Sequence, residues 1–394
     1  MRRRSLLVAL AVAALVVAGA LAALLFFRDG DGETADAPRT ANTAQCGRLA
    51  DDPARECYVR ELLLQVEGSS DARATVQAIA DSAWEQGGFL LSNCHGIMHT
   101  VGRTYAGEQG VTPATLMDYL PRSNDPGCTA GYAHGLVTAV APDLHAGGPQ
   151  EAAAVCGQAD TRYQRYSCTH GFGHAFMRLH DDRLEPSLEF CRDLGPRDAP
   201  DCAQGAYHDY WFAALGLDDA SLPGESEANP YKLCGAQPAE FVRPCWYRAF
   251  VDNRPEGFQV EAPEDFDGLC EGLRGIQRGG CITAASVIGP SDPVAQLELC
   301  ARLRDDSDAS DCVRGTKVQN LLGASIDDYV ALIERCGLFA GASQADCYRW
   351  LGKTLAVVTD GAFGAEGCPQ LESAASRQCA AGARSMDEAL VTFS

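Results

Sequence analysis

Residues 326–358 read IDDYVALIERCGLFAGASQADCYRWLGKTLAVV. Apolar residues recur at intervals of three and four before Cys336 and again after Cys347, which is the spacing of one face of an α-helix. The short stretch between the two cysteines is rich in turn-forming residues. The segment therefore predicts a hairpin of two helices, A and B, whose connection is closed by a disulfide.

The same cysteine spacing recurs through the 394-residue chain. Sixteen of the 18 cysteines form pairs that enclose ten or eleven residues. The pairs are Cys46/Cys57, Cys156/Cys168, Cys191/Cys202, Cys234/Cys245, Cys270/Cys281, Cys300/Cys312, Cys336/Cys347 and Cys368/Cys379. Structural zinc sites use tighter knuckles of about two to four residues, so we interpret the pairs as disulfides. From Cys168 onward the second cysteine returns every 31 to 43 residues, a period typical of repeat proteins.

Two cysteines, Cys94 and Cys128, stand outside these pairs. Each begins a B helix whose A helix, Ala72–Gly87 or Pro113–Leu120, contains no cysteine. Neighbouring B helices begin side by side in a stacked array, so we predict a Cys94–Cys128 disulfide between repeats. The predicted fold is all-α: about nine disulfide-stapled hairpins stacked as an α-solenoid or a closed α/α ring.

The N-terminus carries an export signal. Three arginines precede an apolar run of 22 residues, Leu6–Phe27, which is long enough to cross a bilayer as a helix. We predict a transmembrane signal-anchor over residues 1–28. The small residues Ala18-Gly19-Ala20 also fit a signal-peptide cleavage site, in which case the protein is secreted. Both alternatives place a flexible linker, residues 29–45, and a helical-repeat domain, residues 46–394, outside the cytoplasm, where disulfides persist.

The charge of the chain limits its partners. A formal net charge of −21 argues against nucleic acid and against binding to an anionic membrane surface. The predicted membrane contact is therefore the N-terminal helix alone, with a single-pass topology.

Six of the eight histidines fall in the B helices of four consecutive repeats, residues 72–216. They are His95, His99, His134, His170, His174 and His208. Every one of these four helices contains G-x-x-H, and the first and third extend it to H-G-x-x-H. Gly96 and Gly171 are 75 residues apart, and Gly131 and Gly205 are 74 apart, which indicates that two repeats were duplicated as the next two.

Later B helices separate the two parts of this motif. Gly315 and Gly382 keep the glycine at the same distance from the cysteine but have no histidine after it. We therefore interpret the glycine as a packing residue that lets helices approach closely, and the histidine as an additional feature with a role of its own.

The histidine spacing predicts a metal site. His95/His99 and His170/His174 are i, i+4 pairs, which lie on one face of a helix as in helical zinc sites. Placed in the first two turns, they would feel the positive end of the helix and stay neutral. Three imidazoles with an open position suit zinc, copper or non-haem iron. We predict a divalent transition metal bound by the six histidines, either as one pocket with two ions or as two separate sites. Asp209 follows His208 directly and is predicted to hydrogen-bond a ligating histidine or to supply an oxygen ligand.

The sequence supports two classes of function. One is an extracytoplasmic metal-dependent oxidoreductase or hydrolase that acts on a small molecule. No catalytic residue is assigned, because H-G-x-x-H lacks the glutamate of H-E-x-x-H and the chain has no G-x-S-x-G, P-loop or dinucleotide fingerprint. The other is a non-catalytic cell-surface solenoid whose concave face binds a protein partner and whose histidines form structural hydrogen bonds. Proton transfer without a metal is a third role for the histidines. His145 and His180 are expected to be incidental.

Overall fold

The computed structural model describes residues 43–123, 125, 127–214, 229–252, 259–321 and 323–385. They belong to one compact unit, Ala41–Ser394. The predicted signal-anchor, residues 1–28, lies outside the described residues, as does most of the predicted linker. None of the helices in the described part combines the length and the apolar character that crossing a membrane requires.

The described residues are helical and contain no β-strand, which confirms the all-α prediction. Shorter A helices alternate with longer B helices. The A helices are α1 (Thr43–Cys46), α3 (Ala72–Gln86), α5 (Leu116–Tyr119), α7 (Pro149–Cys156), α9 (Leu184–Asp193), α11 (Pro230–Gly235), α13 (Pro263–Leu269), α15 (Pro293–Cys300) and α17 (Ile326–Glu334). The B helices are α2 (Asp51–Glu67), α4 (Gly88–Gln109), α6 (Cys128–Gly147), α8 (Arg162–Leu179), α10 (Ala199–Ala214), α12 (Ala239–Asp252), α14 (Gly275–Val287), α16 (Asp306–Arg314), α18 (Gly341–Val358) and α19 (Ser373–Ala383).

The number of hairpins is ten within the described part of the chain, rather than about nine. The last A element is a short 3₁₀ helix, Cys368–Gln370, which precedes α19. Eight hairpins have a disulfide of their own, and two, α3/α4 and α5/α6, have none. The sequence indicates both of the unstapled hairpins through Cys94 and Cys128, which begin or lie in their B helices.

All nine predicted disulfides are present. Cys94–Cys128 joins α4 to α6, with 34 residues of sequence separation, as the stacking argument required. One detail differs from the prediction. Most B helices begin before their cysteine, as α4 does at Gly88, because the turn between helices is shorter than the cysteine spacing suggested. Nine disulfides indicate an extracytoplasmic protein.

Successive B helices pack against each other from α2 to α19 along one continuous hydrophobic core. α8 also contacts α18, so repeats that are far apart in the sequence meet. This packing is that of a helical-repeat protein, in which each hairpin buries the apolar face of the next. The solenoid or ring itself stays a prediction.

Two glycines of the G-x-x-H motif, Gly131 and Gly205, let these helices approach closely. A Cβ atom at Gly131 would overlap the backbone carbonyl of His95, and one at Gly205 would overlap that of His170. The two contacts are equivalent in the duplicated halves. Gly315 and Gly382 make the same kind of contact in repeats without histidine. The interpretation of this glycine as a packing residue is confirmed at these four positions.

Candidate metal centre

Four adjacent B helices bring the six histidines together: α4 carries His95 and His99, α6 carries His134, α8 carries His170 and His174, and α10 carries His208. His134 and His170 are fully buried, His174 is 3% exposed, and the other three are partly buried. The prediction that they lie in the first two turns is wrong for α4, α8 and α10. These helices begin earlier than their cysteines, so the histidines lie in later turns.

The six rings form one cluster with His174 at its centre. The ring centre of His174 lies 4.9 Å from those of His170 and His208. Those of His134, His99 and His95 follow at 5.1, 5.5 and 6.5 Å. The contacts cross from one duplicated half to the other, so the histidines converge on one place and not on two.

Two sets of three histidines lie close enough together to hold a metal ion. In His95/His134/His174 the candidate ligand nitrogens all lie within 4.8 Å of one another, and the same holds for His170/His174/His208. We call these the first and the second triad. The second triad unites the three histidines of one duplicated unit, whereas the first draws His174 from the other unit. His99 belongs to neither triad and contacts His134 and His174.

Asp209 orients the central histidine. Its Oδ1 lies 2.6 Å from Nδ1 of His174. A carboxylate only accepts hydrogen bonds, so Nδ1 carries the proton and the lone pair of His174 lies on Nε2. This carboxylate–histidine pair is the arrangement that positions metal ligands in many proteins. This contact is consistent with the prediction that Asp209 hydrogen-bonds a ligating histidine.

A tyrosine orients His170 in the same way. The hydroxyl of Tyr166 lies 3.4 Å from Nδ1 of His170 and donates its only hydrogen to Oε1 of Gln204 at 3.2 Å. The hydroxyl therefore accepts from Nδ1–H, which leaves the lone pair of His170 on Nε2. Tyr166, His170 and Gln204 are all buried, so water does not compete with this chain of hydrogen bonds.

Among the buried ring nitrogens of the cluster, Nδ1 of His134, Nε2 of His170 and Nε2 of His174 have no hydrogen-bond partner among the described residues. The other nitrogen of His134 lies 3.5 Å from the hydroxyl of Ser167. A buried polar atom without a partner is unfavourable unless a ligand satisfies it. Each of these rings thus has one nitrogen held by the protein and one available to a metal.

The cluster favours neutral imidazoles. Burial, as the largest cause, and the charges of neighbouring histidines and arginines hold the pKa of His99, His134, His170 and His208 well below 6.5. Neutral imidazole is the form that binds metals. The predicted direction was right, but its cause is burial rather than the helix dipole.

A buried ion pair adjoins the cluster on α12. The guanidinium of Arg248 donates two hydrogen bonds to Asp252, at 2.8 and 2.6 Å. Its charge contributes to the lowered pKa of His170 and His208. Burial raises the pKa of Asp252 to about 7, although Arg248 opposes this change. The charged pair therefore extends the polar interior beyond the histidine-bearing repeats.

The structure brings together all six predicted histidines and leaves the other two outside. His145 and His180 lie 5.3 Å apart between ring centres, in contact with each other rather than with the cluster. Sequence reasoning missed Tyr166, Gln204 and Ser167. A usable signal existed for Tyr166, which precedes His170 by four residues and so shares its helix face.

The comparisons with known proteins give no family. No protein-family model, curated protein or solved structure matches the chain.

Proposed function

We propose that this chain is an extracytoplasmic protein that binds a divalent transition-metal ion at the six-histidine cluster. The observation that carries the proposal is the geometry of His170 and His174. Both have one ring nitrogen held by a neighbouring side chain and a buried Nε2 without a hydrogen-bond partner among the described residues. A buried arrangement of this kind is suited to a ligand that accepts lone pairs, which is what a metal ion does.

The donor set supports zinc, copper or iron. All six candidate ligands are imidazole nitrogens, which suit these ions, whereas calcium and magnesium prefer oxygen. His174 belongs to both triads, but it has one lone pair because Nδ1–H is donated to Asp209. Only one triad can therefore be complete at a time. A second ion would have to use the remaining histidines.

An open coordination position extends the proposal to chemistry. Three imidazoles leave a position on a tetrahedral ion for water or substrate, as in catalytic zinc sites. His95, His99 and His208 are partly buried, whereas the other three histidines are buried, so a substrate would approach on the side of the partly buried ones. We propose a metal-dependent hydrolase or oxidoreductase that takes a small molecule from this side.

The structural alternative has less support. Histidines that served only packing would place both ring nitrogens against hydrogen-bond partners or would be scattered in the core. Here rings from four helices converge, and their ring centres lie as little as 4.7 Å apart. Mutual contact of this kind disfavours protonation and offers no hydrogen bond to the unpartnered nitrogens. A concave surface that binds a protein would not require the histidine rings to converge in this way.

Metal analysis of the purified ectodomain tests the proposal. We expect stoichiometric zinc, copper or iron in material purified without chelators, and loss of that metal in the His99→Ala/His174→Ala variant. The matched control is His145→Ala/His180→Ala, which removes the two histidines outside the cluster and should leave the metal content unchanged. A metal-free parent that also fails to take up added zinc, copper or iron would overturn the proposal.

A further inference from the structure

The two H-G-x-x-H helices share a longer motif than the histidines alone. On α4 the series His95, His99 and Arg103 has a spacing of four residues. On α8 the series His170, His174 and Arg178 repeats it. The duplicated halves have therefore kept an arginine one turn beyond the second histidine, on the same helix face.

The two series face each other. The ring centres of His99 and His174, the middle members, lie 5.5 Å apart. Each series runs along its helix for ~12 Å, since eight residues rise 1.5 Å each. Arg103 and Arg178 thus each lie one turn beyond one of these two middle histidines, on the face of the helix that carries the histidines.

The arginines lie on the solvent side of the cluster. Arg103 is exposed and the side chain of Arg178 is 42% exposed, while His99 is partly buried and His174 is buried. Both guanidinium charges are near enough to His99 to lower the pKa of its imidazole. Nε of Arg178 lies 3.9 Å from Oδ2 of Asp209, whose other oxygen bonds His174.

Two positive charges beside a metal site need an explanation. They repel the cation that the histidines would bind, in a chain whose formal net charge is −21. Arg103 has no ion pair or hydrogen bond among the described residues. Asp209 offsets part of the charge of Arg178, and an anion bound between the arginines and the metal ion would offset the repulsion that is left.

We propose that Arg103 and Arg178 form the entrance of the histidine cluster and bind a small oxyanion of the carboxylate or phosphate type, which takes the open position on the metal ion. The guanidinium fork matches two oxygens of such a group. This inference rests on the proposed metal site and names the class of ligand or substrate that reaches it.

Cobalt-loaded protein tests the inference. The visible absorption of bound Co²⁺ reports ligand changes, and we would titrate it with acetate and, separately, with inorganic phosphate. We expect a saturable spectral change with at least one of them, and the tighter of the two identifies the oxyanion. Arg103→Gln should bind this anion about tenfold more weakly or worse, Arg103→Lys should recover part of the loss, and Arg349→Gln, an exposed arginine on α18, should match the parent.

The outcomes separate this inference from the proposed function. Failure of the parent to bind Co²⁺ would remove both. Normal Co²⁺ binding with a spectrum that neither anion changes would overturn the oxyanion site alone. So would anion binding that stays at the parental affinity in both Arg103→Gln and Arg178→Gln.

Discussion

At the scale of single residues, the cluster depends on the side chains that orient its histidines. Asp209 fixes the tautomer of His174, the ring that belongs to both triads. Losing such an orienting partner typically lowers metal affinity by about 10- to 100-fold. We predict this loss for Asp209→Asn, measured by competition with a chelator of known affinity. Asp193→Asn, an exposed change on α9, is the control. Equal affinity in Asp209→Asn and the parent would contradict the orienting role.

The buried imidazoles also predict how the stability of the metal-free protein depends on pH. Because the pKa of His134 is well below 6.5 in the folded chain, only the unfolded chain gains its proton as the pH falls below about 6.5. Because of His134, the free energy of unfolding therefore falls by up to about 1.4 kcal/mol for each pH unit below about 6.5. Glutamine does not titrate, so the His134→Gln variant should not show this decrease in the free energy of unfolding.

Chemical denaturation of the metal-free parent and of His134→Gln at pH 7.5 and 5.5 measures the effect. The parent should lose about 1 kcal/mol more than the variant over this interval. Asp252, whose pKa is raised to about 7, acts in the opposite direction but is present in both proteins and cancels. Replacing His145 at the surface is the control. Identical pH profiles for the parent and His134→Gln would show that this histidine titrates normally.

The sequence identified the candidate metal ligands better than the residues that hydrogen-bond to them. The repetition of H-G-x-x-H and G-x-x-H in four helices indicated the six histidines. Asp209 was indicated because it directly follows His208 in the sequence. Tyr166 and Gln204 belong to different repeats and meet only through the packing of α8 on α10. Contacts of that kind depend on the angle and register of helices, which no local pattern encodes.

At the scale of helices, the glycine contacts set the distance between the histidines. Alanine at Gly131 or Gly205 would place a methyl group against a backbone carbonyl of the neighbouring helix. We predict that either change destabilises the protein by about 1–3 kcal/mol, the usual effect of overpacking. Gly107→Ala on α4 has open space around it and should be neutral or stabilising by up to about 1 kcal/mol. Unfolding by denaturant measures all three, and equal stabilities would contradict the close approach.

The disulfide between repeats has a second effect that the others lack. Cys94–Cys128 ties α4 to α6 and hence fixes His95 and His99 relative to His134. Removing it as Cys94→Ser/Cys128→Ser should lower stability by about 4 kcal/mol and also weaken metal binding. Removing Cys336–Cys347 should lower stability by about 3 kcal/mol and leave metal affinity unchanged, because it closes a hairpin outside the cluster. Equal metal affinity in the two double variants, at a temperature where both are folded, would contradict this role.

Helix boundaries were the weakest part of the sequence-based prediction. The cysteines marked each hairpin, but α8 begins at Arg162, six residues before Cys168, where Thr161 caps the helix through its hydroxyl. A capping residue is a local signal, and cysteine spacing is not.

At the scale of the whole molecule, an array of stapled hairpins supplies rigid helices at fixed spacing. Each hairpin buries its neighbour, and eight of the ten described hairpins add a disulfide of their own. We therefore expect the scaffold to fold without a metal. Six of the ten described hairpins have no histidine in the cluster, yet their B helices pack against each other in the same way. The alternation of A and B helices was therefore predictable from the cysteine spacing. The central position of His174 among the six imidazole rings was not predictable from the sequence.

The most direct test of the central claim is an anomalous-difference map from crystals of the metal-loaded ectodomain. We predict a peak about 2.0–2.1 Å from Nε2 of His174, with the other ligands supplied by the histidines of one triad. A peak bound elsewhere, or an empty cluster in crystals soaked with zinc or copper, would contradict it.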